Sequence, residues 1–137
     1  MRKPADIRKT EIVTAVMVMA DKIGPDRVTT AAVAKAVGVT QAALFRHFPS
    51  KSALWIALAE SVSSKLTSAW ESAVAGKQRP DERLKALVLS QLGQIEQTPA
   101  LPILLFSREL NVENEALRRA FRDRLRAFHA MLAKEFA

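Results

Sequence analysis

Residues 29–51 contain several side chains that can hydrogen bond with nucleic-acid bases. Arg46 carries two donors that can pair with O6 and N7 of guanine, and such a bidentate contact discriminates between bases by about 1–3 kcal/mol. Gln41 can bond adenine, Thr40 can bond a base or a phosphate, and Ala42 offers a methyl group to thymine. If these residues lie on the second helix of a helix-turn-helix, we expect them to face a DNA major groove. The alternative is that Arg46 and Gln41 are ordinary solvated or capping residues.

The same stretch predicts two short helices joined by a tight turn. Thr30 is suited to cap a helix that ends at about Val37, after which Gly38 can adopt a positive φ. Thr40 is suited to cap a second helix that runs from Gln41 to Phe48. A helix-turn-helix also needs a small residue, a glycine and an apolar wedge at this spacing, and here these are Ala34, Gly38 and Leu44.

The second helix is expected to have an inward and an outward face. Leu44 and Phe48 are four residues apart and share one face. At about 100° per residue, Ala42 and Arg46 lie roughly 200° around the helix from Leu44. Arg46 is therefore predicted to project away from the core.

The stretch TTAAVAKAVGVTQAALFRHFPSKSAL, residues 29–54, resembles the DNA-binding signature of TetR-type bacterial transcription regulators. It departs from that family at Phe45, where tyrosine is frequent, so any DNA contact of this residue must be apolar. The resemblance implies contacts to the phosphate backbone from Thr30, His47 and Lys51, with Thr29 as a further candidate. Thr30 can also be read as a helix cap, and His47 as a packed structural residue.

The charge distribution agrees with a nucleic-acid partner. The chain has a net charge of +7, and residues 1–51 hold nine Lys and Arg against four Asp and Glu. The remainder holds twelve against ten, so the excess lies at the end that carries the motif. A basic segment is commonly only a solvated face, but here charge and motif coincide.

Several classes of function find no support in the sequence. There is no cysteine, and the two histidines lie in different segments, so we predict no disulfide, metal site or cofactor. No catalytic motif is present, which disfavours an enzyme. Nothing resembles a signal peptide, and no apolar run approaches the ~20 residues of a membrane span. We expect a soluble protein of the bacterial cytoplasm, associated with the nucleoid.

Helical periodicity along the chain predicts an all-α fold with seven helices and no strand. Residues 1–50 are expected to form a three-helix DNA-binding head, and residues 51–137 a helical ligand-binding and dimerisation body. A helix of about 25 residues starting at Lys51 would span on the order of 38 Å and join the two. The first helix and the remaining body helices are expected at 5–23, 81–96, 103–110 and 115–136.

The resemblance further implies that the body encloses a small apolar effector, whose binding tilts the long helix. The residues chosen as candidate walls of this pocket are large and apolar. They are Trp70, Leu92, Phe106, Phe121 and Phe128, together with Met131. The alternative is that these side chains form an ordinary core.

Proteins of this type are expected to be homodimers on a palindromic operator, joined through two further C-terminal helices. The sequence stops without those helices or a helix-stop signal. We expect it to be a fragment of a longer product; the alternative is dimerisation through another surface, such as the last helix.

The leading functional hypothesis is a repressor released from double-stranded DNA by a small apolar ligand. A second hypothesis is a helical protein-interaction module that uses DNA as a tether. A DNA-independent carrier of small molecules is the weakest, because it leaves the basic head without a role.

Overall fold

Six α-helices make up most of the chain in the computed structural model, which describes residues 3–98, 102, 104 and 107–137. These residues contain no strand, so the prediction of an all-α fold is confirmed. Of the predicted helix at 103–110, residues 103, 105 and 106 lie outside the described residues, and Glu109 and Leu110 belong to a π-helical turn. A 3₁₀ turn, Pro25–Arg27, and a π-helical turn, Glu109–Glu113, complete the elements. The helices are α1 Ala5–Ile23, α2 Thr30–Val37, α3 Gln41–His47, α4 Lys51–Val74, α5 Pro80–Gln97 and α6 Glu115–Lys134.

The head is built from α1, α2 and α3, which pack against one another and against α4. On α1, Ile12, Val16 and Ala20 recur every four residues and are all buried. Gly24 ends this helix with a φ of 85°, a value that L side chains rarely adopt. Among the described residues, no helix is both long and apolar enough to cross a membrane.

Hydroxyl side chains start three consecutive helices. The cap of α2 is Thr29 and not Thr30, because Thr29 takes the extended conformation and its Oγ1 accepts from the amide of Ala32 at 3.1 Å. The expectation for Thr30 is corrected accordingly. Thr40 and Ser50 cap α3 and α4 in the same way, as predicted. The helix boundaries around the turn are therefore set by local hydrogen bonds.

The turn between α2 and α3 closes on a left-handed glycine. Gly38 has φ 82° and ψ 32°, and its amide bonds the carbonyls of Ala34 and Lys35. The amide of Val39 also bonds the Ala34 carbonyl, at 2.9 Å. These bonds satisfy carbonyls that the end of α2 would leave unpaired, so the turn is tight and well defined.

The head core continues into the body without a break. Leu54, Trp55 and Leu58 of α4 belong to the same buried cluster as Ile12 and the other head residues. Three body residues, Leu104, Leu110 and Leu117, belong to it as well. A second, smaller cluster forms farther along α4 around Leu66, Trp70 and Leu87. The domain boundary expected at residue 50 falls at the start of α4 and stays a prediction.

Hydrogen bonds fasten the π-helical turn to the head. The amide of Arg108 donates to Asp26 Oδ1 at 2.9 Å, across 82 residues of sequence. Asn114 Nδ2 donates to the carbonyl of Ser52, in the first turn of α4, at 3.3 Å. Asn114 also caps α6 through its Oδ1, which accepts from the amide of Leu117. One short segment of the body thus contacts both the head and the base of α4.

Glu109 lies in this junction with only 4% of its surface exposed. Burial raises the pKa of its carboxyl above the ordinary value, and neighbouring Glu113 raises this pKa further. The hydrogen bond from Asn114 Nδ2 and the charge of Lys51 act in the opposite direction on the same pKa. Burial prevails, so the folded protein binds this proton more tightly than the unfolded chain does.

Replacing Glu109 should therefore change how stability depends on pH. A raised folded pKa adds stability that is fully present below the ordinary value of 4.5 and is lost as pH rises through the folded pKa. Glu109→Gln keeps an acceptor for Asn114 but cannot ionise. Relative to the parent protein, the variant should gain stability as pH rises from about 4 to neutrality. Denaturant unfolding at several pH values measures this difference.

Glu115→Gln is the matched control, because Glu115 is exposed just after the same turn and does not act on the pKa of Glu109. It should retain the pH dependence of the parent protein. Parallel curves for Glu109→Gln and the parent would show that Glu109 is not the group responsible.

Candidate nucleic-acid interface

The outer face of α3 carries the predicted base-reading residues. Gln41, Ala42 and Arg46 are exposed, as is Thr40 at the cap. Phe45, for which an apolar contact was expected, keeps 39% of its surface exposed. Leu44 on the opposite face is completely buried. The described structure thus presents these five side chains together at the surface of the head.

The predicted phosphate-binding residues begin and end helices around this face. Thr30 is the first residue of α2, His47 the last of α3 and Lys51 the first of α4. All three are partly exposed, whereas Thr29 is exposed and already occupied as a cap. Backbone phosphates flank a helix that lies in the major groove, so positions at the edges of α3 suit such contacts.

A hydrogen bond links a predicted phosphate contact to a predicted base contact. Gln41 Nε2 donates to Thr30 Oγ1 at 3.1 Å, joining the start of α2 to the start of α3. The Thr30 hydroxyl can still donate its own proton to a phosphate. Gln41 keeps its carbonyl oxygen and a second N–H, which is the pair that adenine requires. Both roles are therefore compatible with this bond, and the bond restricts the orientation of Gln41.

The cations of the head differ in how far they are already neutralised. Glu11 accepts from Lys3 at 2.6 Å and pairs with Arg8 at 3.2 Å. The hydrogen bond from Lys3 holds the pKa of the Glu11 carboxyl below its usual range. In contrast, Arg46 and Lys51 form no ion pair within the described part of the chain, although the charge of Lys51 reaches the buried Glu109. Arg46 is therefore available to a ligand.

The body contains a cavity of about 410 Å³ between α4, α5 and α6. Three of the predicted wall residues, Trp70, Phe121 and Phe128, line it. Leu92 does not, since it is 54% exposed on the outer side of α5. Met131 packs in the second core cluster, and Phe106 lies outside the described residues.

Sequence reasoning missed a polar residue of this cavity, Arg124. It stands three residues after Phe121 and four before Phe128, so it shares their helical face. Its place within an apolar stripe could have predicted this position. The pattern was not recognised because α6 contains several other arginines, most of them on the solvent side.

Comparison with known proteins agrees with this geometry. The family described as "Bacterial regulatory proteins, tetR family" matches residues 12–58, from within α1 to within α4. The nucleoid occlusion factor SlmA of Marinomonas sp. is 38% identical over 111 residues, covering 81% of this chain and 56% of that protein. SlmA of Salmonella paratyphi B is 34% identical over 111 residues, covering 80% and 56%.

This chain belongs to the TetR family. The resemblance first inferred from residues 29–54 is thereby confirmed, and the matched region includes all eight residues predicted to contact DNA. The chain spans little more than half the length of the curated relatives.

Two solved structures share the fold of this TetR-family chain. The fatty acid degradation regulator FadR of Bacillus halodurans superposes with a TM-score of 0.76 at 19% identity, covering 99% of this chain and 68% of that one. A putative TetR-family transcriptional regulator from Rhodococcus sp. gives a TM-score of 0.78 at 20% identity, covering 95% and 70%. At this identity the likeness concerns the fold alone.

A double-mutant cycle can test whether Thr30 acts through Gln41. If Thr30→Val weakens DNA binding mainly by releasing Gln41, then adding Gln41→Ala should cause little further loss, and the two effects should not add. The measurement is affinity for one DNA site of the parent protein, both single variants and the double variant. If the losses of DNA affinity in the two single variants add up in the double variant, Thr30 contacts a phosphate independently of Gln41.

Proposed function

We propose that this TetR-family chain binds double-stranded DNA by placing α3 in the major groove and regulates transcription from the sites it occupies. The observation that carries the proposal is the division of α3 into two faces. Leu44 is completely buried in the head core, while Ala42 and Arg46 are exposed on the other side and Gln41 is exposed at the start of the helix. A helix held from behind in this way can present its outer side chains to base edges.

The residues of this face divide between two tasks. Arg46 reads a guanine and Gln41 an adenine, with Ala42 and Phe45 offering apolar contact to thymine methyls. Thr40 bonds a base or a phosphate at the start of α3. Thr30, His47 and Lys51 hold the phosphate backbone on either side and fix the register of the head.

A repressor of this kind acts as a homodimer on a palindromic operator at the nucleoid. Two heads separated by one turn of DNA read half-sites about 10–10.5 bp apart, which gives specificity that a single head lacks. The outer side of α5 supports a partner surface, because Val88, Leu89 and Leu92 are each at least 43% exposed. A small ligand in the body cavity releases the operator by shifting α4, which runs from the cavity to the head.

Two substitutions should separate base reading from phosphate binding. Arg46→Ala should relax sequence choice at one base pair, costing about 1–3 kcal/mol on the preferred sequence. Lys51→Ala should lower affinity for all sequences alike and reduce the slope of log K against log salt by about 1, because one phosphate contact is lost. Selection of bound sequences from a random DNA library measures sequence choice. Titration of one DNA site with protein at several salt concentrations measures affinity and the salt slope.

Lys65→Ala serves as the control, since Lys65 is an exposed cation on α4 outside the head. It removes the same charge and should leave both sequence choice and salt slope unchanged. The proposal fails if folded Arg46→Ala and Lys51→Ala proteins, checked by circular dichroism, bind DNA as the parent does.

The names of the curated relatives favour a second candidate function. Both relatives are nucleoid occlusion factors, which suits a module that uses DNA as a tether for another protein. A regulator and a tether differ in their effect on nearby genes. In the native host, Arg46→Ala should alter transcripts beside the binding sites if the chain is a regulator. Loss of DNA occupancy without such changes would favour the tether.

A further inference from the structure

Two buried hydrogen-bond donors in the walls of the body cavity have no partner among the residues that the structure describes. Trp55 is 1% exposed, and its indole Nε1 makes no hydrogen bond to any of them. Arg124 Nε is likewise buried and unpartnered. Both residues line the same cavity, and both nitrogens are donors only. An unpaired buried donor carries a desolvation cost, which a hydrogen-bond acceptor brought within reach of it would remove.

Arg124 also brings a positive charge to the wall of the cavity. Its Nη1 donates to Thr67 Oγ1, and its guanidinium lies 6.0 Å from the centre of the Trp70 ring. Both contacts leave the positive charge in place, and Arg124 forms no ion pair within the described residues. Among those residues, no carboxylate lines the cavity, whereas Arg122 does. The wall therefore favours an anion.

The depressions on the two sides of Arg124 differ in the charge of the ligand that they favour. On the outer side lies a depression of about 460 Å³ whose walls include Glu60 and Asp123, which disfavour an anion there. On the inner side lies the 410 Å³ cavity, a volume within the usual range for a small-molecule site. Among its few polar residues, Gln91 already accepts from Trp70 Nε1 at 2.9 Å. The rest of the wall is mainly apolar and consists of residues such as Leu58, Val62, Leu66 and Phe128.

We propose that this cavity binds an amphipathic carboxylate, with its alkyl chain among the apolar walls and its carboxylate at Arg124. The guanidinium donates to the carboxylate oxygens, and the Trp55 indole offers a further donor to an oxygen of the ligand. This inference rests on the proposed function only in giving the ligand a regulatory role. The binding itself is measured without DNA.

Three probes of equal chain length test the head group, namely decanoate, decanol and decyltrimethylammonium. Each is titrated below its micelle concentration, with binding followed by calorimetry. The parent protein should bind decanoate about tenfold or more tighter than decanol, because a charged hydrogen bond forms only with the carboxylate. Decyltrimethylammonium should bind most weakly, since its charge is repelled.

Substitution of Arg124 identifies the residue responsible. Arg124→Gln should lower decanoate affinity to that of decanol without changing decanol binding, and Arg124→Lys should restore part of the difference. Arg126→Gln is the matched control, because Arg126 is exposed on the same helix and does not line the cavity. It removes the same charge and should bind all three probes as the parent does.

Equal binding of decanoate and decanol by the parent protein would overturn the inference, as would no binding of any probe. Unchanged decanoate affinity in Arg124→Gln would also overturn it. If that variant fails to fold, the comparison of probes on the parent protein still decides. DNA affinity of the ligand-free parent protein is measured separately. If the ligand-free protein does not bind DNA, the proposed function is contradicted but the ligand class is not. If it binds DNA but not decanoate, the ligand class is contradicted but the proposed function is not.

Discussion

The direction in which α3 presents its side chains depends on the burial of Leu44. This residue is enclosed in the head core with Ile12 and Val33, while Arg46, two positions later, is exposed. A rotation that buried Arg46 would expose Leu44 and place an unpaired charge among apolar side chains, and both changes cost free energy. The outward orientation of the proposed base-reading residues is therefore a property of the fold and does not require DNA.

Hydrogen bonds within the motif further limit its freedom. Thr29 and Thr40 fix the starts of α2 and α3, and Gly38 closes the turn between them. The bond from Gln41 to Thr30 then joins the two helices at the surface that we assign to DNA. Side chains already held in place lose less conformational entropy when a ligand binds, so the motif is suited to recognition with little rearrangement.

Local signals made much of the fold predictable. Gly24, Thr40 and Ser50 stand at helix ends that the sequence alone located, because each acts through its own backbone conformation or a bond to a nearby amide. Thr29 and Thr30 could not be told apart, since both are capping types and only the backbone conformation selects one of them.

Features that depend on distant parts of the chain were not predictable. The bond between Thr30 and Gln41 spans eleven residues, and that between Asp26 and Arg108 spans 82. No local sequence pattern predicts either of these hydrogen bonds. The position of Arg124 on the cavity wall could have been predicted, because Arg124 shares a helical face with the apolar wall residues. The exposure of Leu92 could not, because it depends on how α5 packs against α4.

The continuous core has a consequence for engineering. Chimeric sensors that exchange heads at residue 50 would separate Ile12 from Leu54 and Trp55, which share its cluster. A joint placed after Leu58 would keep the first two turns of α4 with the head that they complete. The recipient would then need complementary side chains where this chain has Leu104, Leu110 and Leu117. Modularity in this fold is thus limited by packing on both sides of the joint, more than by the sequence of the linker.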